Sequence, residues 1–167
     1  PISMYARNSI FSGLLPSEIE KLYPELWDDD DNEGYKNRHE EELLRKQMSR
    51  HGRKEKLYFE KVSGIRREGH TSDSLANITS SDLSVMVFNF VDMISHARTE
   101  MDMIRELANN EKAYRSLTLS WFNNSTLLEL IRQLAAKDIH LVLTTDHGAI
   151  RVDNPVKVIG DRETNTN

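Results

Sequence analysis

LSVMVFNFV, Leu83 to Val91, is a near-continuous apolar run, and DMISH, Asp92 to His96, follows it without a gap. A run of this length reads as a strand buried on both faces, the pattern of a parallel sheet covered by helices. After Asp92 the period changes. Ile94, Ala97, Met101, Ile104 and Ala108 recur at spacings of 3, 4, 3 and 4, the stripe of one amphipathic helix reaching Ala108. Two more helices are expected over Glu111–Trp121 and Ser125–Ala136, the second with Leu127, Leu128, Ile131 and Leu134 as its core stripe. IHLVLTT, Ile139 to Thr145, reads as another buried strand, ended by Asp146, His147 and Gly148. Strand, helices, strand in this order requires a crossover and a parallel pair, hence an α/β domain. Two short strand-like pieces, AIRV and VKVIG, follow.

Working back towards the start, KLYFEKV (Lys56 to Val62) has strand character. The stretch from Ser63 to Ser81 reads as mostly loop, with a weak helix near Ser74 to Ser80. Asn37 to His51 reads as a polar helix with Glu41/Arg45 and Glu42/Lys46 pairs one turn apart. WDDDDNEGY is an acidic loop; a calcium reading fails because Gly34 falls one place late and His39 holds the place of the bidentate Glu. Pro16 opens a short helix. Ser3 to Ser12 reads as a helix with Ser3 as N-cap and Gly13 as its stop. Trp27, Trp121 and Phe122 read as packing anchors.

The composition sets the class. The chain has 167 residues, a net charge of −5 and no Cys. That length supports a real core. The charge indicates no general affinity for nucleic acid or anionic membrane. Without Cys there are no disulfides, and any metal must be held by His and carboxylates. No apolar run reaches the roughly 20 residues of a membrane span, so a cytoplasmic protein without a membrane partner is expected. The chain opens at Pro1 rather than Met, and a piece of a longer protein is expected.

The chemistry-bearing residues cluster after the two apolar runs. Asp92 and His96 are four apart at the start of a helix, which places them about 40° apart on one face, to the side of the apolar stripe. Asp146 and His147 are adjacent, with Gly148 expected to relax the backbone so that both turn to one site. Binding sites of open parallel sheets lie at the carboxyl ends of strands. Carboxylates with neutral imidazoles suit zinc, and also manganese or iron. Two such pairs suggest two metals, an arrangement that clamps the attacking and leaving oxygens of a phosphoryl displacement. Ser3, at a helix N-terminus, fits the nucleophile. Taken singly, each feature has an ordinary reading: a helix cap, a turn, a packed histidine. Arg7 and Asn8 face either the phosphate or the surface. His39, His51, His70 and His140 lack a partner at ligand spacing and read as solvated or packed.

YARNSIFSG, DLSVMVFNFVDMISHARTEM and LTTDHGAIRV together resemble the PglZ domain, a branch of the alkaline phosphatase superfamily. The likeness covers nearly the whole chain and extends to PorX-type response regulators, in which a receiver domain precedes a PglZ effector. The resemblance implies a doubly wound, mostly parallel sheet flanked by helices. Residues 1–167 would be part of one such domain, with receiver and helical linker domains upstream. It implies two zinc ions, one held by Asp92 and His96, the other by Asp146 and His147. Ser3 takes the nucleophile's place before Ser12 and Gly13, where relatives carry Thr. A further Asp and a late His of the superfamily are expected beyond the two ends.

The activity implied is a zinc-dependent phosphodiesterase or phosphatase, the output of a two-component system linked to type IX secretion. Its substrate would be a phosphoester such as an oligonucleotide or cyclic nucleotide. Its partners would be a sensor histidine kinase, acting through the receiver domain, and a second copy in a homodimer. The alternative is a non-catalytic signalling module of the same fold that binds a partner such as a sigma factor. A sulfatase is disfavoured, since its nucleophile derives from Cys.

Overall fold

The computed structural model describes residues 2–27, 37–62, 70–148 and 156, without the side chains of residues 2–4, 70–72, 95, 96, 98–100 and 105. The acidic loop and the two strand-like pieces after Gly148 lie outside the described residues. Two compact units are present: one draws on residues up to Lys54 and from Val142 onward, the other on Glu55–Leu141.

The first unit is helical. Helix α1 spans Ile2–Ser12, α2 Pro16–Leu22 and α3 Glu40–Arg50, with a 3-10 turn at Pro24–Leu26. Gly13 ends α1 with φ +65°, the left-handed stop that glycine takes without steric penalty. Pro16 stands at the start of α2, and the Glu18 carboxylate accepts the Leu15 N–H at 2.7 Å. Ile19, Leu26, Trp27 and Leu43 form the core, with Tyr5, Phe11, Leu14 and Tyr23 against it. Helices α1 and α3 pack together. Arg7 Nη2 donates to Glu40 Oε2 at 2.9 Å, and Glu40 is fully buried. Arg50 donates to the Ser12 carbonyl at the end of α1 and to the Tyr23 hydroxyl. A cation there suits the negative end of the helix dipole.

The second unit is mixed α/β. Strand β1 spans Leu57–Val62 and β2 Leu83–Phe88, joined through helix α4, His70–Thr79. The strands are parallel, in register from Leu57↔Leu83 to Val62↔Phe88. Four helices follow: α5 Phe90–Glu100, α6 Asp102–Leu107, α7 Glu111–Asn123 and α8 Thr126–Leu134. Asn110 and Ser125 cap α7 and α8, their side chains accepting the N–H groups of Ala113 and Leu128. Ile78 of α4 and Leu130 and Leu134 of α8 form the core, with Tyr58, Leu75, Met86 and Ile139 against it.

Several expectations need correcting. The parallel pair exists, but its strands are β1 and β2, and the crossover is α4. Strand β2 stops at Phe88 and is half-buried rather than covered on both faces. Ile139–Thr145 is not a strand. Ile139 packs on the core, but Leu141, Val142 and Leu143 are 49%, 82% and 68% exposed. An apolar run becomes a strand only when an edge pairs with its backbone, and periodicity does not report that edge. Among the described residues the sheet has two strands and is open, so a doubly wound core is not what they form. The helix expected through to Ala108 breaks at Met101, whose backbone is extended at φ −114°, ψ 116°. No Gly or Pro marks that break. In α8 the buried pair is Leu130 and Leu134, so Leu130 takes a place assigned to its neighbours. The weak helix near Ser74 is a ten-residue element starting at His70. Helix α1 opens at Ile2, which puts Ser3 inside the first turn instead of at the cap.

Candidate functional site

Asp92 is placed by a short connection. Strand β2 ends at Phe88, Asn89 alone intervenes, and α5 begins at Phe90. Asp92 therefore lies in the first turn of a helix, just past the carboxyl end of a parallel strand, where the helix dipole favours a carboxylate. Helix α7 fixes this turn. The Trp121 ring stacks on Phe90 with centroids 4.2 Å apart and planes within 7°. The Tyr114 hydroxyl reaches the Val91 carbonyl at 3.5 Å. His96 lies one turn further along the same helix.

Asp146 and His147 are brought together by the chain itself. His147 Nε2 stands 3.8 Å from Asp146 Oδ2. The other ring nitrogen, Nδ1, is 3.1 Å from the Gly148 carbonyl. A carbonyl only accepts, so Nδ1 is the donor in this bond, and Nε2 is the ring nitrogen nearer the carboxylate. In metal sites generally, a ligating imidazole has one nitrogen tied to a backbone carbonyl or carboxylate and the other turned to the metal. Ligand bonds of 2.0–2.2 Å in a tetrahedral zinc site place neighbouring donors about 3.4 Å apart. The pair stands 3.8 Å apart, a few tenths of an ångström wider than that separation, and carboxylate and imidazole are donor types that suit zinc.

Ser3 and the Asp146/His147 pair fall in the first unit, Asp92 and His96 in the second. Among the described residues no group of three or more His, Asp or Glu gathers as a metal cluster. The side chains of Ser3 and His96 lie outside the described set.

Arg7 does not serve as a phosphate contact. Its guanidinium is committed to the buried Glu40, and Asn8 is buried beside it in α1. His39 accepts from Arg38 Nε at 2.8 Å, lies near Glu42 and is half-buried. One residue was missed by reading for ligands. Thr145 donates its hydroxyl to the His147 carbonyl at 2.8 Å. A Thr directly before Asp-His is a turn signal, since its hydroxyl bonds nearby backbone.

The family described as the BREX system PglZ alkaline phosphatase-like domain matches residues 1–167. The chain belongs to the PglZ family. As a PglZ domain it is a mixed α/β protein of an alkaline-phosphatase-like family, one consistent with hydrolase-like domains and with a metal-dependent class. No curated protein matches this PglZ domain. Among its described residues no helix is long and apolar enough to cross a membrane.

Proposed function

We propose that this PglZ domain is a zinc-dependent phosphodiesterase or phosphatase, the effector of a PorX-type response regulator. The observation that carries the reading is the Asp146–His147 pair, whose imidazole is already turned with Nε2 towards the carboxylate. Asp92 and His96 would hold one zinc, Asp146 and His147 the other. Manganese or another divalent ion suits the same donors. Zinc, when bound, supplies positive charge that offsets the charge developing on phosphoryl oxygens.

The chain's own part starts at Ser3. It lies in the first turn of an eleven-residue helix, whose leading N–H groups have no intrahelical acceptor and suit phosphate oxygens. Ser3 Oγ attacks phosphorus, forming an O–P bond while the bond to the leaving alcohol breaks. The serine proton leaves to solvent and the departing oxygen takes one up. Water then attacks phosphorus, the Ser3 O–P bond breaks, and the serine and a phosphate product are released.

The substrate class is a phosphoester, with oligonucleotides and cyclic nucleotides as the first to screen. A sensor histidine kinase, a homodimeric partner and a cytoplasmic setting belong to the same reading. The family description names the BREX system, and the phosphoester chemistry is independent of which context holds. The alternative is a non-catalytic module binding a partner such as a sigma factor.

Metal analysis of the full-length protein separates the two. The expected result is close to two zinc per chain, a loss in Asp146→Ala, and hydrolysis of bis(4-nitrophenyl) phosphate that Ser3→Ala abolishes. A metal-free intact protein without phosphodiesterase activity would leave the binding module as the better account.

A further inference from the structure

Asp146 and His147 are neighbours in sequence, and their side chains converge to 3.8 Å. The chain bends at Asp146. Glycine is the obvious agent, and Gly148 follows directly. Its φ lies outside the left-handed region, and a Cβ built on it meets nothing within 4 Å. Any residue fits there, so Gly148 contributes its carbonyl and not its freedom. The bond that spans the bend is the one from Thr145 Oγ1 to the His147 carbonyl. It ties residue 145 to residue 147 and closes the backbone around Asp146, where the chain bends.

We infer that Thr145 is a positioning residue for the metal pair: its hydroxyl folds the chain so that the Asp146 carboxylate and His147 Nε2 face one point. The inference rests on the reading of Asp146 and His147 as zinc ligands. The carbonyl of His147 is held by Thr145 and the ring of His147 is held by Gly148, so both ends of the residue are fixed from the backbone. Outer partners of this kind set metal affinity without touching the metal. Thr145 itself is exposed, so losing the hydroxyl leaves the packing of the fold alone.

The test is zinc affinity of the full-length protein by competition with a chromophoric chelator, for wild type, Thr145→Val, Thr145→Ser, Gly148→Ala and Asp146→Ala. Thr145→Val is isosteric and lacks the donor; it should weaken zinc binding by about 10-fold. Thr145→Ser keeps the donor and should bind as wild type, as should Gly148→Ala. In metal-free protein, imidazole nitrogen shifts should show His147 protonated at Nδ1 in wild type and Thr145→Ser. Thr145→Val should shift that population towards Nε2–H. If Asp146→Ala loses zinc while Thr145→Val keeps it, the role of Thr145 is overturned and the ligands stand. If Thr145→Ser fails to rescue, or Gly148→Ala loses zinc as Thr145→Val does, the role is overturned too. If Asp146→Ala keeps its zinc, the ligand assignment falls and takes this role with it.

Discussion

At Gly13 the end of α1 leaves no room for a side chain. A Cβ there would stand 2.4 Å from Gln47 Nε2 of α3, and φ is +65°. The two effects differ in cost. The Gln47 amide is the far end of a flexible side chain and can swing aside. The backbone angle cannot relax without undoing the turn. Gly13→Ala should therefore destabilise by about 1 kcal/mol or somewhat more, mostly through the strained φ. Adding Gln47→Ala should recover little of it; urea denaturation of both variants checks this. The glycine stop was legible in the sequence because the left-handed cap is a local requirement. The Arg7–Glu40 pair was not. Its partners are 33 residues apart, and only the packing of α1 on α3 puts the carboxylate within reach.

Among the elements, β1 and α4 carry a part-buried polar cluster that hydrophobic periodicity does not reveal. The Tyr58 hydroxyl donates to Glu60, and Ser74 Oγ of α4 donates to the same carboxylate oxygen at 2.8 Å. Burial, and then the hydrogen bond to the Glu60 carboxylate, push the Tyr58 hydroxyl above its ordinary value of 10.0. The folded chain thus holds this proton more tightly than the unfolded one. Stability from this group is complete below pH 10 and is lost as pH rises through the folded value. Wild type should lose stability on alkaline titration beyond that point, and Tyr58→Phe should show a shallower loss; thermal melts across that range would show it. Strand β1 itself was legible from its aromatic and β-branched residues. The segment from Ile139 was misread because its composition is that of a strand while its backbone has no strand partner among the described residues.

For the molecule as a whole, each unit has its own core, one around Leu43 and one around Leu134. Leu43→Ala and Leu134→Ala each open a cavity and should cost about 2–5 kcal/mol. Hydrogen exchange should show the loss of protection centred on the amides of the mutated core; uniform loss across both would contradict separate cores. The amino-acid sequence by itself determined the α/β class, the glycine stop of α1, the Asp92/His96 spacing and the family, because these rest on local backbone preference, periodicity and contiguous motifs. Tertiary structure decided the rest. It paired β2 with β1, left Ile139–Thr145 without a strand partner among the described residues, and committed Arg7 to Glu40. Those outcomes depend on which groups from separate segments meet at a strand edge or a buried charge, and no local pattern encodes that meeting.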